Sequence, residues 1–208
     1  MKEEQDYIRD ISEIRSMMER SSKFLSLSGW AGIMAGIYAL TGAYIAYTLL
    51  HFNPTEIVDN SVSSNHIPAG LLKVFLVAVS IIILALSTAI YFSYSRAKKS
   101  AEKLWNATAR RLAINMAVPL VVGGLLILIL ISKGLIGLMA PMSLLFYGLA
   151  LYNASKFTYE EVKILGLIQI GLGLISSYFI EYGLLCWALG FGLVHIIYGI
   201  YMHYTYER

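Results

Sequence analysis

Apolar residues run along this chain in long blocks, broken by short polar segments. Six blocks, residues 24–50, 69–94, 112–131, 135–152, 164–180 and 184–204, carry few or no charges. An apolar helix of about 20 residues matches the ~30 Å hydrocarbon core of a bilayer. The pattern therefore predicts an all-α fold class: a polytopic membrane protein, its six transmembrane helices arranged as three hairpins. The segments between the blocks read as turns and connectors. Residues 51–68 hold Asn53-Pro54, Asp59-Asn60 and Pro68, the chemistry of an exposed loop. Ser132-Lys133-Gly134 and Glu181-Tyr182-Gly183 read as tight turns, residues 153–163 as a short link and 205–208 as a tail.

The first 23 residues differ from the rest. Tyr7, Ile8, Ile11, Ile14 and Met18 recur at helical spacing among charged residues. This predicts a short amphipathic helix leading into the first span. Its apolar stripe needs cover from the bilayer surface, the loops or a second protein. The segment is too charged, and the block after it too long, for a cleavable signal peptide.

Charge sets the expected orientation. All but two of the 16 lysines and arginines fall on one side of a six-span layout, the exceptions being Lys73 and Lys133. The basic side collects residues 1–23, the connector with Arg96, Lys98, Lys99, Lys103, Arg110 and Arg111, the 153–163 link and Arg208. By the positive-inside rule both ends lie in the cytoplasm. Composition agrees: 58% of residues are apolar and 14% charged, against about 45–50% and about 25% in soluble domains. Tyr91, Tyr94, Tyr147, Tyr152, Tyr198 and Tyr201 near the basic ends of alternate spans read as headgroup-level anchors. Cys186, the one cysteine, reads as a small packing residue.

A faint internal repeat links the second and third hairpins. Thr158-Tyr159-Glu160 is echoed by Thr205-Tyr206-Glu207, Tyr147-Gly148 by Tyr198-Gly199, and Lys133-Gly134-Leu135 by Tyr182-Gly183-Leu184. Separately, the passage Met18-Glu19-Arg20-Ser21-Ser22-Lys23-Phe24-Leu25-Ser26-Leu27-Ser28-Gly29 resembles a group of uncharacterised small bacterial integral membrane proteins. These carry a similar MERSS-(K/R)-F-(L/I)-SLSG passage into their first helix. The resemblance covers about residues 8–48 and implies a bacterial inner membrane. It implies no activity and no catalytic residues.

Few positions offer chemistry. No Asp, Glu, Lys or Arg lies well inside a block, which argues against an ion-coupled pump. His195 falls midway along the sixth block and is the one ionisable residue at such depth. With Asn115 and Pro119 in the third block and Gln169 in the fifth, it is a candidate to line a small polar cavity. The plainer alternative is a set of interhelical hydrogen bonds. Pro119 and Pro141 are candidate kinks, since proline frees a carbonyl one turn earlier. Ser28, Gly32 and Gly36 repeat every four residues and predict close helix packing, either within the chain or across a homodimer seam. Lys133 and Glu181 are candidates for an exposed ion pair. The sequence holds no metal-ligand spacing, no nucleophile motif and no nucleic-acid-binding stretch.

The sequence therefore predicts no cofactor, no metal and no catalytic residue. The leading expectation is a non-enzymatic membrane module acting through a partner protein, by way of residues 1–23, or as a homo-oligomer. It would serve as a sensor, assembly or regulatory subunit. The alternative is a small facilitator or carrier for a neutral or weakly polar solute, with its cavity near Asn115, Gln169 and His195.

Overall fold

A computed structural model describes residues 24, 27–52, 69–99 and 105–207. The amphipathic helix expected over 1–23, most of the 51–68 loop, residues 100–104 and Arg208 lie outside the described residues. Every regular element among the described residues is helical. Six helices are long and apolar enough to cross a membrane: α1 (Gly29–Leu49), α2 (Ala69–Lys99), α3 (Ala107–Ser132), α4 (Ile136–Phe157), α5 (Glu161–Tyr178) and α6 (Ile180–Tyr206).

The helix ends differ from those read off the apolar blocks, and the causes are local. The α3 helix begins at Ala107 because Asn106 caps it, its Oδ1 accepting the Ala109 N–H at 2.7 Å. Arg110 and Arg111 thus belong to the start of a helix, in line with a basic connector that is partly helical. The α2 helix likewise runs on through Arg96 to Lys99. The α4 helix is extended at both ends by 3₁₀ turns, Ile136–Leu138 and Ser155–Phe157. Pro141 sits near its start, where the first N–H groups have no helical partner, so no interior kink is needed there. Pro119 lies well inside α3, which continues through it.

The α3–α4 turn closes as expected. Gly134 adopts a left-handed φ of 75°. The Leu135 and Gly134 N–H groups donate to Leu130 and Ile131, the paired bonds of a glycine-terminated helix. The α5–α6 turn is built differently. The chain breaks at Phe179, a 3₁₀ turn spans Ile180–Tyr182, and Gly183 opens the next helical stretch at a φ of −53°. The two turns that look alike in sequence are therefore not geometric equivalents. Lys133 and Glu181 form no ion pair.

Packing arranges the helices around a centre of α4, α5 and α6. The α4–α5 pair is the most extensive contact, and α1 lies along another side of α6. Glycines permit both crossings. A Cβ on Gly148 would lie 2.7 Å from the Gly166 carbonyl oxygen, and one on Gly166 would lie 2.8 Å from that of Gly148. On α1, a Cβ at Gly36 would lie 2.6 Å from the Gly192 carbonyl, and Gly32 faces Gly199 and His195. The small-residue stripe of α1 is thus occupied by α6 of the same chain. The two remaining helices stand at the rim, α2 packed chiefly on α1 and α3 on α4.

Candidate functional site

Three of these helices bring their polar side chains to one point. His195 on α6, Gln169 on α5 and Tyr147 on α4 meet inside the bundle. His195 is 5% exposed and Gln169 fully buried. The chain prepares this point with a π-helical segment, Ala188–Val194, immediately before His195. A π segment is a local departure from the i→i−4 ladder. Here the His195 N–H bonds the Gly192 carbonyl, while the Gly190 carbonyl receives side chains.

The hydrogen bonds fix the chemistry of the imidazole. Nδ1 lies 2.8 Å from the Gly190 carbonyl oxygen, which can only accept, so Nδ1 carries the proton. In the neutral imidazole Nε2 is then an acceptor, and the Tyr147 hydroxyl donates to it at 3.0 Å. The Gln169 amide donates from Nε2 to the same Gly190 carbonyl at 2.8 Å. Its 3.4 Å approach to His195 Nδ1 places two donors side by side, both aimed at one oxygen. Turning the amide over would set its oxygen against the carbonyl, so the orientation is determined. Phe191 stacks on the imidazole at 5.8 Å between centroids and also lies 5.0 Å from Tyr147. A neutral histidine with both nitrogens satisfied is a positioned structural group and holds no free lone pair for a metal or a proton donor.

The structure brings together two of the cavity residues that the sequence singles out, Gln169 and His195. Asn115 points its amide at its own helix, Nδ2 donating to the Arg111 carbonyl at 2.8 Å. Pro119 is half-buried on the same rim helix. Two participants escape sequence reading. Gly190 contributes only a backbone carbonyl, which no side-chain pattern reveals. Tyr147 reads as a headgroup anchor, yet α4 continues ten residues beyond it to Phe157. At 1.5 Å per residue that places Tyr147 about 15 Å from the helix end. Tyr198 is half-buried against the core cluster of Leu151, Tyr159, Val162, Leu165 and Met202, whereas Tyr91, Tyr94, Tyr152 and Tyr201 are exposed.

No family model matches the chain, and no curated protein or solved structure matches it.

A second polar cluster closes one end of the bundle. Glu207 follows α6 and is the cap of α1, where Ser28 forms no side-chain cap of its own. Glu207 Oε1 accepts the Gly29 N–H at 2.7 Å and an Arg96 N–H at 3.0 Å, and Oε2 accepts from His203 at 2.7 Å. Arg96 also donates to the carbonyls of Leu27 and Tyr206 and to the Tyr159 hydroxyl. The Tyr206 ring packs against that of Tyr159, tilted by 41° with centroids 4.4 Å apart, and its hydroxyl donates to Glu161 at 2.7 Å. Phe24 is tied to the α4–α5 link: its N–H donates to Phe157 and its carbonyl accepts from Thr158, both at 2.7 Å. Arg96, read from sequence as one charge of a surface connector, is thus the hub that joins α1, α2, α6 and the α4–α5 link. Burial pushes the Glu207 carboxyl up. The opposing bonds from His203, Gly29 and Ser28 and the Arg96 charge outweigh it, and the group ends below the usual carboxylate range. Among the described residues no group of three or more His, Cys, Asp or Glu is placed to hold a metal ion.

Proposed function

We propose that this protein is a non-enzymatic integral membrane module that acts through a partner protein or as an oligomer, as a sensor, assembly or regulatory subunit. The observation that carries this reading is the contrast between the centre and the rim. At the centre, Tyr147, His195 and the Gln169 amide nitrogen bond to one another or to Gly190, which leaves no activated nucleophile or base. At the rim, none of an 18-residue apolar stretch of α2 is buried, and only 6% of one on α3. Two helices, each packed chiefly on one neighbour, present long apolar faces that lipid, another protein or another copy can cover.

In this reading the chain threads a bacterial inner membrane as three hairpins, with both ends cytoplasmic. The lysine and arginine distribution and the resemblance at residues 18–29 support that placement. The charged and apolar spacing of residues 1–23 supports an amphipathic helix there, which would offer a partner its second contact. A facilitator draws less support, since Asn115 stands apart from Gln169 and His195.

Cysteine cross-linking in native membranes tests the proposal, in a Cys186→Ser background. Single cysteines at Leu76, Ile83 and Ile90 of α2 should yield a product heavier than the 23.1 kDa chain. Absence of any such product along both α2 and α3 would remove the support for this reading. For orientation, a cysteine at Lys133 should react with an impermeant maleimide added outside the cell, and one at Lys156 should not.

A further inference from the structure

Three buried side-chain atoms among the described residues have no hydrogen-bond partner: Glu161 Oε2, Gln169 Oε1 and Ser176 Oγ. All three lie on α5. They are eight and seven residues apart, close to whole numbers of helical turns, so they share one face. At 1.5 Å per residue they span about 22 Å of the helix axis, much of a ~30 Å bilayer core. Gln169 and Ser176 are fully buried.

The facing wall of α6 offers Gln169 Oε1 and Ser176 Oγ almost nothing. Gly183 and Gly190 lie opposite: a Cβ on the first would be 3.7 Å from Ser176 Oγ, and one on the second 2.5 Å from Gln169 Oε1. Neither glycine has a side chain to donate. Cys186 faces Ser176, but a thiol is a weak partner and leaves the hydroxyl without a normal hydrogen bond. Toward Glu161 the row continues through groups that do carry protons. At that end the Tyr206 hydroxyl donates to Glu161 Oε1 at 2.7 Å and leaves Oε2 unpaired.

A polar group left unsatisfied in hydrocarbon costs several kcal/mol. Gln169 and Ser176 lie inside the apolar block and Glu161 at its polar end, so two such groups within the bilayer, beside small residues, call for an external supply of hydrogen bonds. Buried waters fill this role in proteins, each making about three bonds to otherwise unsatisfied groups.

We propose that the seam between α5 and α6 is a row of binding sites for a small neutral hydrogen-bond donor, either water or a polyol or amide of similar donor chemistry, running from Glu161 past Gln169 to Ser176. Glu161 and Gln169 present acceptors, and Ser176 both accepts and donates. Ions are poor occupants, because no charged side chain lies along the seam beyond its Glu161 end. This seam does not involve Asn115 and stands independently of the module reading.

The test is polarisation transfer by solid-state NMR on the full-length, isotope-labelled protein in lipid bilayers. Transfer is followed from water, and in a second sample, in deuterated water, from added protonated glycerol. Ala150, fully buried on α4, is the dry reference. Water magnetisation reaching the Gln169 side-chain amide and Ser176 several-fold faster than Ala150 identifies water as the occupant. Fast transfer from glycerol alone identifies a small solute. Transfer to both residues as slow as to Ala150, from either source, overturns the proposal. Ser176→Ala should abolish fast transfer at position 176 and keep it at Gln169, and loss at neither position would also contradict the assignment.

Discussion

Replacing Tyr147 by phenylalanine removes one hydroxyl from the bundle centre and little else. The lost bond is the one donated to His195 Nε2 at 3.0 Å. Interhelical hydrogen bonds in membranes average about 0.6 kcal/mol and reach about 1.7 kcal/mol, so Tyr147→Phe should destabilise by that amount. His195→Leu is more severe. It strands the Tyr147 hydroxyl, at a cost of about 1–3 kcal/mol for an unsatisfied buried donor, and removes one donor from the Gly190 carbonyl. Unfolding of the purified variants in mixed micelles should rank His195→Leu well below Tyr147→Phe. The reverse order would show that the imidazole is not the junction of the three helices. This site is half legible in the sequence. His195 and Gln169 stand out because a polar residue in an apolar block needs a partner. Tyr147 does not, because tyrosine is equally at home at a headgroup and in a buried network, and depth alone separates the two.

Between helices, close approach is set by glycine. Gly148 and Gly166 face one another with no room for a Cβ on either, while a Cβ on Gly171 of the same α5 helix meets nothing within 4 Å. Gly148→Ala and Gly166→Ala should each cost about 1–3 kcal/mol through overpacking. Gly171→Ala should be neutral or stabilise by up to ~1 kcal/mol, since alanine is the better helix former. A thermal or denaturant melt that fails to separate these variants would contradict the α4–α5 crossing. The six apolar blocks make the existence of the helices legible, because a helix crossing hydrocarbon has little choice of side chain over its middle turns. The helix ends are not legible, because side chains there are polar whether the backbone stays helical or not. Arg96 and Arg110 illustrate this. Both sit in helices, and only the cap at Asn106 and the carbonyls of Leu27 and Tyr206 explain why.

At the scale of the molecule, the Arg96–Glu207 cluster ties the start of α1 to the end of α6. Its strength depends on an ionised Glu207, whose folded form is held below the ordinary value of 4.5. A depressed carboxyl contributes stability that is fully present above the ordinary pKa and is lost as pH falls through the folded one. Melting temperature should therefore drop as pH is lowered beneath about 4.5, and Glu207→Gln should be less stable at neutral pH and show a smaller drop. An unchanged acid profile in that variant would mean that Glu207 does not close the bundle. The same end of the molecule gathers the echoed Thr-Tyr-Glu triplets, whose tyrosines, Tyr159 and Tyr206, pack against each other with tilted rings. The echo in sequence thus marks two segments that meet, although the turns at Gly134 and Gly183 are built differently.

The rim helices carry the functional account, and their faces decide it. Native mass spectrometry of the protein, gently extracted from the membrane of its own host, tests this most directly. The account predicts a multimer or a complex of defined mass with a second protein, abolished by charged substitutions along the exposed face of α2 or α3. A bare 23.1 kDa monomer under conditions that preserve other complexes of the same membrane would contradict it.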